Sequence, residues 1–225
     1  MATSGPPGPQ TVGEAVPSPA LEMNCKLLIV GDSHCRELED VIAKSYPNVK
    51  TCVIWLGQQT DNIMLAYTKE LNRITDFQPD FILLHTGHNE IAYHKYKNVT
   101  PKDSTQTTSI TISAALLLKS NHPKATIIIS SIFPRLLTFK SSLRQLDLSH
   151  YNRTAERHGR RLHTEAKKVG ITVFKNNFMW RSKSDVLVKS HLFLLDGLHL
   201  NDEAKEYVTT RWLNQIYNTY VNNEG

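Results

Sequence analysis

Five short apolar runs punctuate the chain: KLLIV (26–30), TCVIWL (51–56), FILLH (81–85), TIIIS (126–130) and ITVF (171–174). They are rich in β-branched residues and too short for helices, so they read as buried strands. Between them apolar positions recur at intervals of three and four: Cys35, Leu38, Ile42; then Ile63, Tyr67, Leu71, Ile74; then Ile110, Ala114, Leu117, Asn121. The same spacing links Tyr151, Ala155, Leu162, Ala166 and Val169, and Ala204, Val208, Trp212 and Ile216 with Tyr220 closing the series. Each series predicts an amphipathic helix. Strands that alternate with helices require crossover connections, so the pattern predicts an α/β domain of three layers, α/β/α, around a mostly parallel five-stranded sheet.

The pattern begins only at residue 25. Residues 1–24 hold five of the ten prolines and three of the ten glycines with few large apolar side chains, and are expected to be a disordered linker. One folded domain over residues 25–225 is the expectation. No apolar run reaches the roughly 18 residues of a bilayer span, and residues 1–10 lack the apolar centre of a signal peptide, so a cytoplasmic, non-secreted protein is expected. Cys25, Cys35 and Cys52 show neither CxxC nor Cys/His zinc spacing, which argues for free thiols.

Charge is unevenly spread. The chain carries a formal +5, while residues 135–183 hold twelve Lys/Arg against three Asp/Glu. A basic face follows, and Arg153, Arg157, Arg160, Arg161, Lys167 and Lys168 fall on or around one predicted helix. Such a face offers a footprint for phosphates of nucleic acid or an anionic membrane, although a solvated helix face is the commoner reason for such runs.

Ligands of a parallel sheet bind beyond the carboxyl ends of its strands, which directs attention to the segments after each run. Gly31-Asp32-Ser33-His34 follows the first strand, with a helix expected to begin there. A serine at that point suits a nucleophile whose attack creates an oxyanion, and suits a helix N-cap equally well. Leu56-Gly57-Gln58-Gln59 follows the second strand and Thr86-Gly87-His88-Asn89-Glu90 the third. Glycine admits a close backbone approach, and an Asn amide is an oxyanion donor. Asp196-Gly197-Leu198-His199 precedes the last helix. There an Asp three residues before a His can fix the ring tautomer and stabilise the imidazolium; a metal pair or a solvated turn are the alternatives, and no third ligand has convincing spacing.

Taken in order, GDS after the first strand, Gly after the second, GxN after the third and DxxH before the last helix resemble the SGNH, or GDSL-type, hydrolase family. The resemblance implies a flavodoxin-like fold over nearly all of residues 25–220 and a serine esterase without metal or other cofactor. It implies Ser33 as nucleophile, His199 as base and Asp196 as its partner. Ser33 N–H, Gly57 N–H and the Asn89 side chain form the implied oxyanion hole. The family's frequent GTND is here Gly87-His88-Asn89-Glu90, a change expected to bear on substrate preference.

Ser131-Ile132-Phe133-Pro134-Arg135 and DGLHLN also look like the esterase domain in the first open-reading-frame protein of LINE-type (non-LTR) retrotransposons of vertebrates. That likeness implies short acyl esters such as acetyl groups, some lipid-borne, as substrates, and self-association through segments outside this chain. The competing reading is a catalytically weak module of the same fold that binds RNA or anionic membrane through its basic face. Met179, Trp180 and Phe193 either pack in the core or line an acyl pocket. His34, Cys35, His85 and His88 are expected to pack around the site rather than react.

Overall fold

Side chains along a strand alternate between the two faces of a sheet, and this period divides the apolar runs between two cores. In the computed structural model, which describes residues 23–92, 100–136, 145–179 and 190–223, five strands form one sheet. They are β1 (Cys25–Gly31), β2 (Val49–Trp55), β3 (Phe81–His85), β4 (Thr126–Ser130) and β5 (Thr172–Phe174). The order is β2-β1-β3-β4-β5 and every pairing is parallel. This is the flavodoxin-like order.

Helices cover both faces: α1 (Leu38–Ser45), α2 (Thr60–Lys69), α3 (Leu71–Phe77), the single turn α4 (His88–Ile91), α5 (Ser104–Asn121), α6 (Gln145–Lys168) and α7 (Asp202–Asn223). Leu27, Ile29, Leu83 and Ile128 meet Leu38 and Ile42 of α1 and Ala204, Val208, Trp212 and Ile216 of α7. Leu28, Val30, Ile82, Leu84 and Ile129 meet Ile63 and Tyr67 of α2, Ile74 of α3, Leu118 of α5 and Leu162 of α6. Burial on both faces explains why the strand sequences are continuous apolar runs. Met23 also packs into the first of these cores, whereas residues 1–22 of the expected linker lie outside the described residues. No helix among the described residues is long and apolar enough to cross a membrane.

Three local expectations change. The series Ile63 to Ile74 is two helices, broken at Glu70, where the backbone leaves helical geometry at φ −96°, ψ 6°. On α5 the expected face is rotated: Leu117 is 44% exposed, and the buried stripe is Thr107, Thr108, Thr111, Ala114, Ala115 and Leu118. The threonines can be buried because their hydroxyls donate to helix carbonyls one turn back, Thr107 to Asp103, Thr108 to Ser104 and Thr111 to Thr107. Their methyl groups then present an apolar surface. Finally, α1 does not begin at Ser33: Ser33–Cys35 is one 3-10 turn, Arg36 is extended at ψ 136°, Glu37 is left-handed at φ 66°, and the helix starts at Leu38.

Register positions the site. Gly31 is level with Trp55 on one side and His85 on the other, so the segments after β1, β2 and β3 leave the sheet along one edge. A Cβ at Gly31 would collide with Cys35 Sγ and the His85 carbonyl oxygen, which makes the close approach of β1 and β3 depend on glycine there.

Candidate active site

The turn carrying Ser33 is built by Asp32. Its carbonyl accepts from Cys35 N–H at 3.0 Å, and its Oδ1 accepts from His34 N–H at 3.1 Å. Neither bond uses the Ser33 N–H. Because the turn is separated from α1, the dipole of that helix does not stand behind Ser33, contrary to the expectation from sequence. Asp32, His34 and Cys35 are buried while Ser33 remains partly accessible.

His199 arrives from the far end of the chain on a tight hairpin. Phe193 bridges Leu200, Leu194 N–H donates to the His199 carbonyl at 2.8 Å, and Leu136 N–H after β4 donates to the Gly197 carbonyl at 2.8 Å. Asp196 Oδ1 takes the N–H groups of Leu198 and His199 at 2.8 and 3.0 Å, and Oδ2 lies 2.7 Å from His199 Nδ1. The other ring nitrogen, Nε2, is 3.3 Å from Ser33 Oγ. Burial acts to raise the Asp196 carboxyl, but the bonds from the His199 ring and from the two N–H groups outweigh it and hold it below the usual range. Asp196 is therefore an ionised acceptor, which keeps the proton on Nδ1 and turns the Nε2 lone pair toward Ser33.

The two remaining candidates lie beside this pair. A Cβ built on Gly57 would meet only the Ser33 Cβ, at 3.9 Å. Asn89 is partly accessible, and its Nδ2 donates to the Gln58 carbonyl at 2.9 Å, leaving the second amide hydrogen available. Ser33, Gly57, Asn89, Asp196 and His199 are thus gathered from four segments at one sheet edge. Gly87, ahead of Asn89, adopts φ 107°, and a Cβ there would also press on Ile132 at 2.9 Å, so the turn that aims Asn89 requires glycine.

Beneath the site lies a group of buried rings: His34, His85, His88, Phe133 and Trp212, with His34 and His88 centroids 4.3 Å apart. Burial pushes all three histidines well below the ordinary histidine range, His85 to about 3. Among the described residues Asp32, His85 and His88 are close enough to suggest a metal site. The hydrogen bonds argue otherwise. Phe133 N–H donates to His88 Nε2 at 2.8 Å, so the ring proton sits on Nδ1, 2.6 Å from Asp32 Oδ2, and His88 has no lone pair left for an ion.

The neighbours of Asn89 are expected from the sequence to bear on substrate preference. Instead both are buried, at 1% exposure, and face the protein: His88 holds Asp32, and Glu90 Oε1 accepts from Thr60 N–H at 2.5 Å. The pattern GHNE carried no signal for these partners, which come from other segments. Met179 and Phe193 are core residues, at 0% and 7% exposure, and Trp180 lies outside the described residues.

No protein-family model matches the sequence, and no curated protein matches it. Solved structures do. A GDSL-like lipase from Bacteroides thetaiotaomicron is 15% identical, with a TM-score of 0.61 over 86% of this chain and 87% of that one. A carbohydrate acetylesterase family member from Sinorhizobium meliloti is 14% identical, with a TM-score of 0.63 over 87% and 98%. The lipase/acylhydrolase from Enterococcus faecalis is 14% identical, with a TM-score of 0.60 over 85% and 95%. The chain shares its fold with these hydrolases.

Proposed function

We propose that the protein is a serine esterase of the SGNH type that hydrolyses short acyl esters. The reading rests on one observation: the hydrogen-bonded chain Asp196–His199–Ser33, with Gly57 and Asn89 beside its serine. As Ser33 Oγ adds to the ester carbonyl carbon, its proton passes to His199 Nε2, and Asp196 stabilises the resulting imidazolium. The carbonyl oxygen becomes an oxyanion held by Ser33 N–H, Gly57 N–H and the free Asn89 amide hydrogen. The tetrahedral adduct collapses, the C–O bond to the alcohol breaks, and His199 returns the proton to the leaving oxygen. Water then adds to the acyl-enzyme, giving its proton to His199, and Ser33 departs with that proton to release the acid.

Acetyl esters, some lipid-borne, are the substrate class we propose. SIFPR and DGLHLN resemble the retrotransposon esterase domain, so the activity would serve a retrotransposon-encoded protein. Leu194 and Leu195, 47% and 74% exposed just before Asp196, support an apolar substrate or surface near the serine. A fluorophosphonate probe with a panel of p-nitrophenyl esters tests the proposal. Ser33 should be labelled, with turnover falling as the acyl chain lengthens; an unlabelled but folded and stable protein would defeat it.

A second reading is supported by α6, where Arg153, Arg157, Arg160, Arg161, Lys167 and Lys168 are all exposed. Arg157, Arg160 and Arg161 line a surface groove of about 450 Å³ with Ser104, Thr164 and Glu165. We propose this face as a contact for RNA or anionic membrane that accompanies the esterase.

A further inference from the structure

Consecutive side chains of α4 reach different parts of the site. His88 binds Asp32 in the nucleophile turn, Asn89 binds the Gln58 carbonyl after β2, and Glu90 binds the first N–H of α2. Asn89 is the oxyanion donor of the proposed reaction, so the helix that carries it is tied directly to the turn that carries Ser33.

We infer that His88 is a positioning residue: through its Nδ1–H bond to Asp32 it holds the Ser33 turn in register with Asn89. The inference rests on the esterase reading for its kinetic consequence, but its geometry stands alone. Packing by itself does not account for this histidine. Both ring nitrogens are engaged at short distance, 2.6 Å to Asp32 Oδ2 and 2.8 Å from Phe133 N–H, in a residue 1% exposed. The backbone donor at Nε2 leaves a single tautomer, and only that tautomer presents N–H to the carboxylate. Asp32, itself 1% exposed, uses Oδ1 to close the turn on His34 N–H. Removing His88 would leave Oδ2 a buried carboxylate oxygen without this partner. The carboxylate would then turn to recover one, and the Ser33 turn would turn with it. A displacement on the order of 1 Å at a nucleophile costs about a hundredfold in rate.

The test has a structural and a kinetic arm, both on the full chain. Long-range ¹⁵N correlation spectra of the wild type should show His88 protonated at Nδ1 and bare at Nε2 at neutral pH. The opposite tautomer overturns the inference whatever the protein hydrolyses. In kinetics, His88→Leu should lower kcat by about 30- to 100-fold with KM within about threefold. His88→Asn, whose amide N–H sits where Nδ1–H was, should recover about tenfold of that loss. In an Asp32→Ala background, His88→Leu should cost no more than about twofold further, because its effect passes through Asp32. Additive losses, or a kcat that falls only with the folded fraction seen by circular dichroism, would overturn it. If Ser33→Ala hydrolyses esters like the wild type, the esterase reading fails instead, and the tautomer still decides whether His88 braces Asp32.

Discussion

Ser33 Oγ and His199 Nε2 stand 3.3 Å apart although 166 residues separate them in the chain. One sits on a turn closed by Asp32 and the other on a hairpin closed by Phe193 and Leu200, so neither side chain builds the backbone that presents it. Ser33→Ala and His199→Ala should therefore each abolish turnover of p-nitrophenyl acetate while leaving the melting temperature within about 2 °C. Wild-type turnover by pure Ser33→Ala would refute the mechanism.

Asn89 donates one amide hydrogen to the Gln58 carbonyl, and in the proposed reaction the other is the oxyanion donor. Loss of one such donor costs roughly 100- to 1,000-fold in kcat. Asn89→Ala should fall in that range with a smaller change in KM, measured by steady-state kinetics. An effect confined to KM would mean that Asn89 binds substrate rather than the transition state.

Acid should unfold the protein early. His34, His85, His88 and His158 are buried, and burial depresses all of them, His85 to about 3 and His158 to about 4 from 6.5. Below pH 6.5 the unfolded chain binds protons that the folded chain refuses, so stability falls as pH drops. Their contribution is complete above pH 6.5 and declines down through the folded values. Urea midpoints at pH 7.5, 6.0 and 5.0 should decrease steadily; a flat profile would show that the folded protein takes up protons as readily as the unfolded chain, so that burial does not depress these rings.

The rotated face of α5 gives a test of packing. Leu118 is fully buried and Leu117 is 44% exposed. Leu118→Ala should cost about 2–5 kcal/mol, whereas Leu117→Ser should stay within about 0.5 kcal/mol. Urea denaturation that ranks them in reverse would place the wrong side of the helix against the sheet.

For the basic face, Arg157, Arg160 and Arg161 replaced together by Gln should weaken binding to a single-stranded RNA or to phosphatidylserine vesicles. Hydrolysis of a small soluble ester should stay nearly unchanged. Wild-type binding should fall steeply between about 50 and 200 mM salt, as counterion release requires. Binding that ignores salt, or a triple variant that binds like the wild type, would dismiss this surface.

The sequence by itself determined the strands and the class of fold. A run such as FILLH, short, wholly apolar up to its last residue and one of five alternating with helical periods, reads as a strand covered on both sides, and β3 spans the expected residues, as does β4. It also determined where to look, since GDS, GxN and DxxH follow strand ends or precede the last helix, and those residue types in that order limit the chemistry. Tertiary structure decided the rest. Periodicity finds an apolar stripe but cannot show that buried threonines on α5 satisfy their own hydroxyls, so the helix turned a different face inward. Composition cannot reveal that Glu37 adopts left-handed backbone and detaches Ser33 from α1. Nor could the letters GHNE tell that His88 and Glu90 brace Asp32 and Thr60, because a hydrogen-bond partner distant in sequence exists only once the sheet has brought its strand ends level.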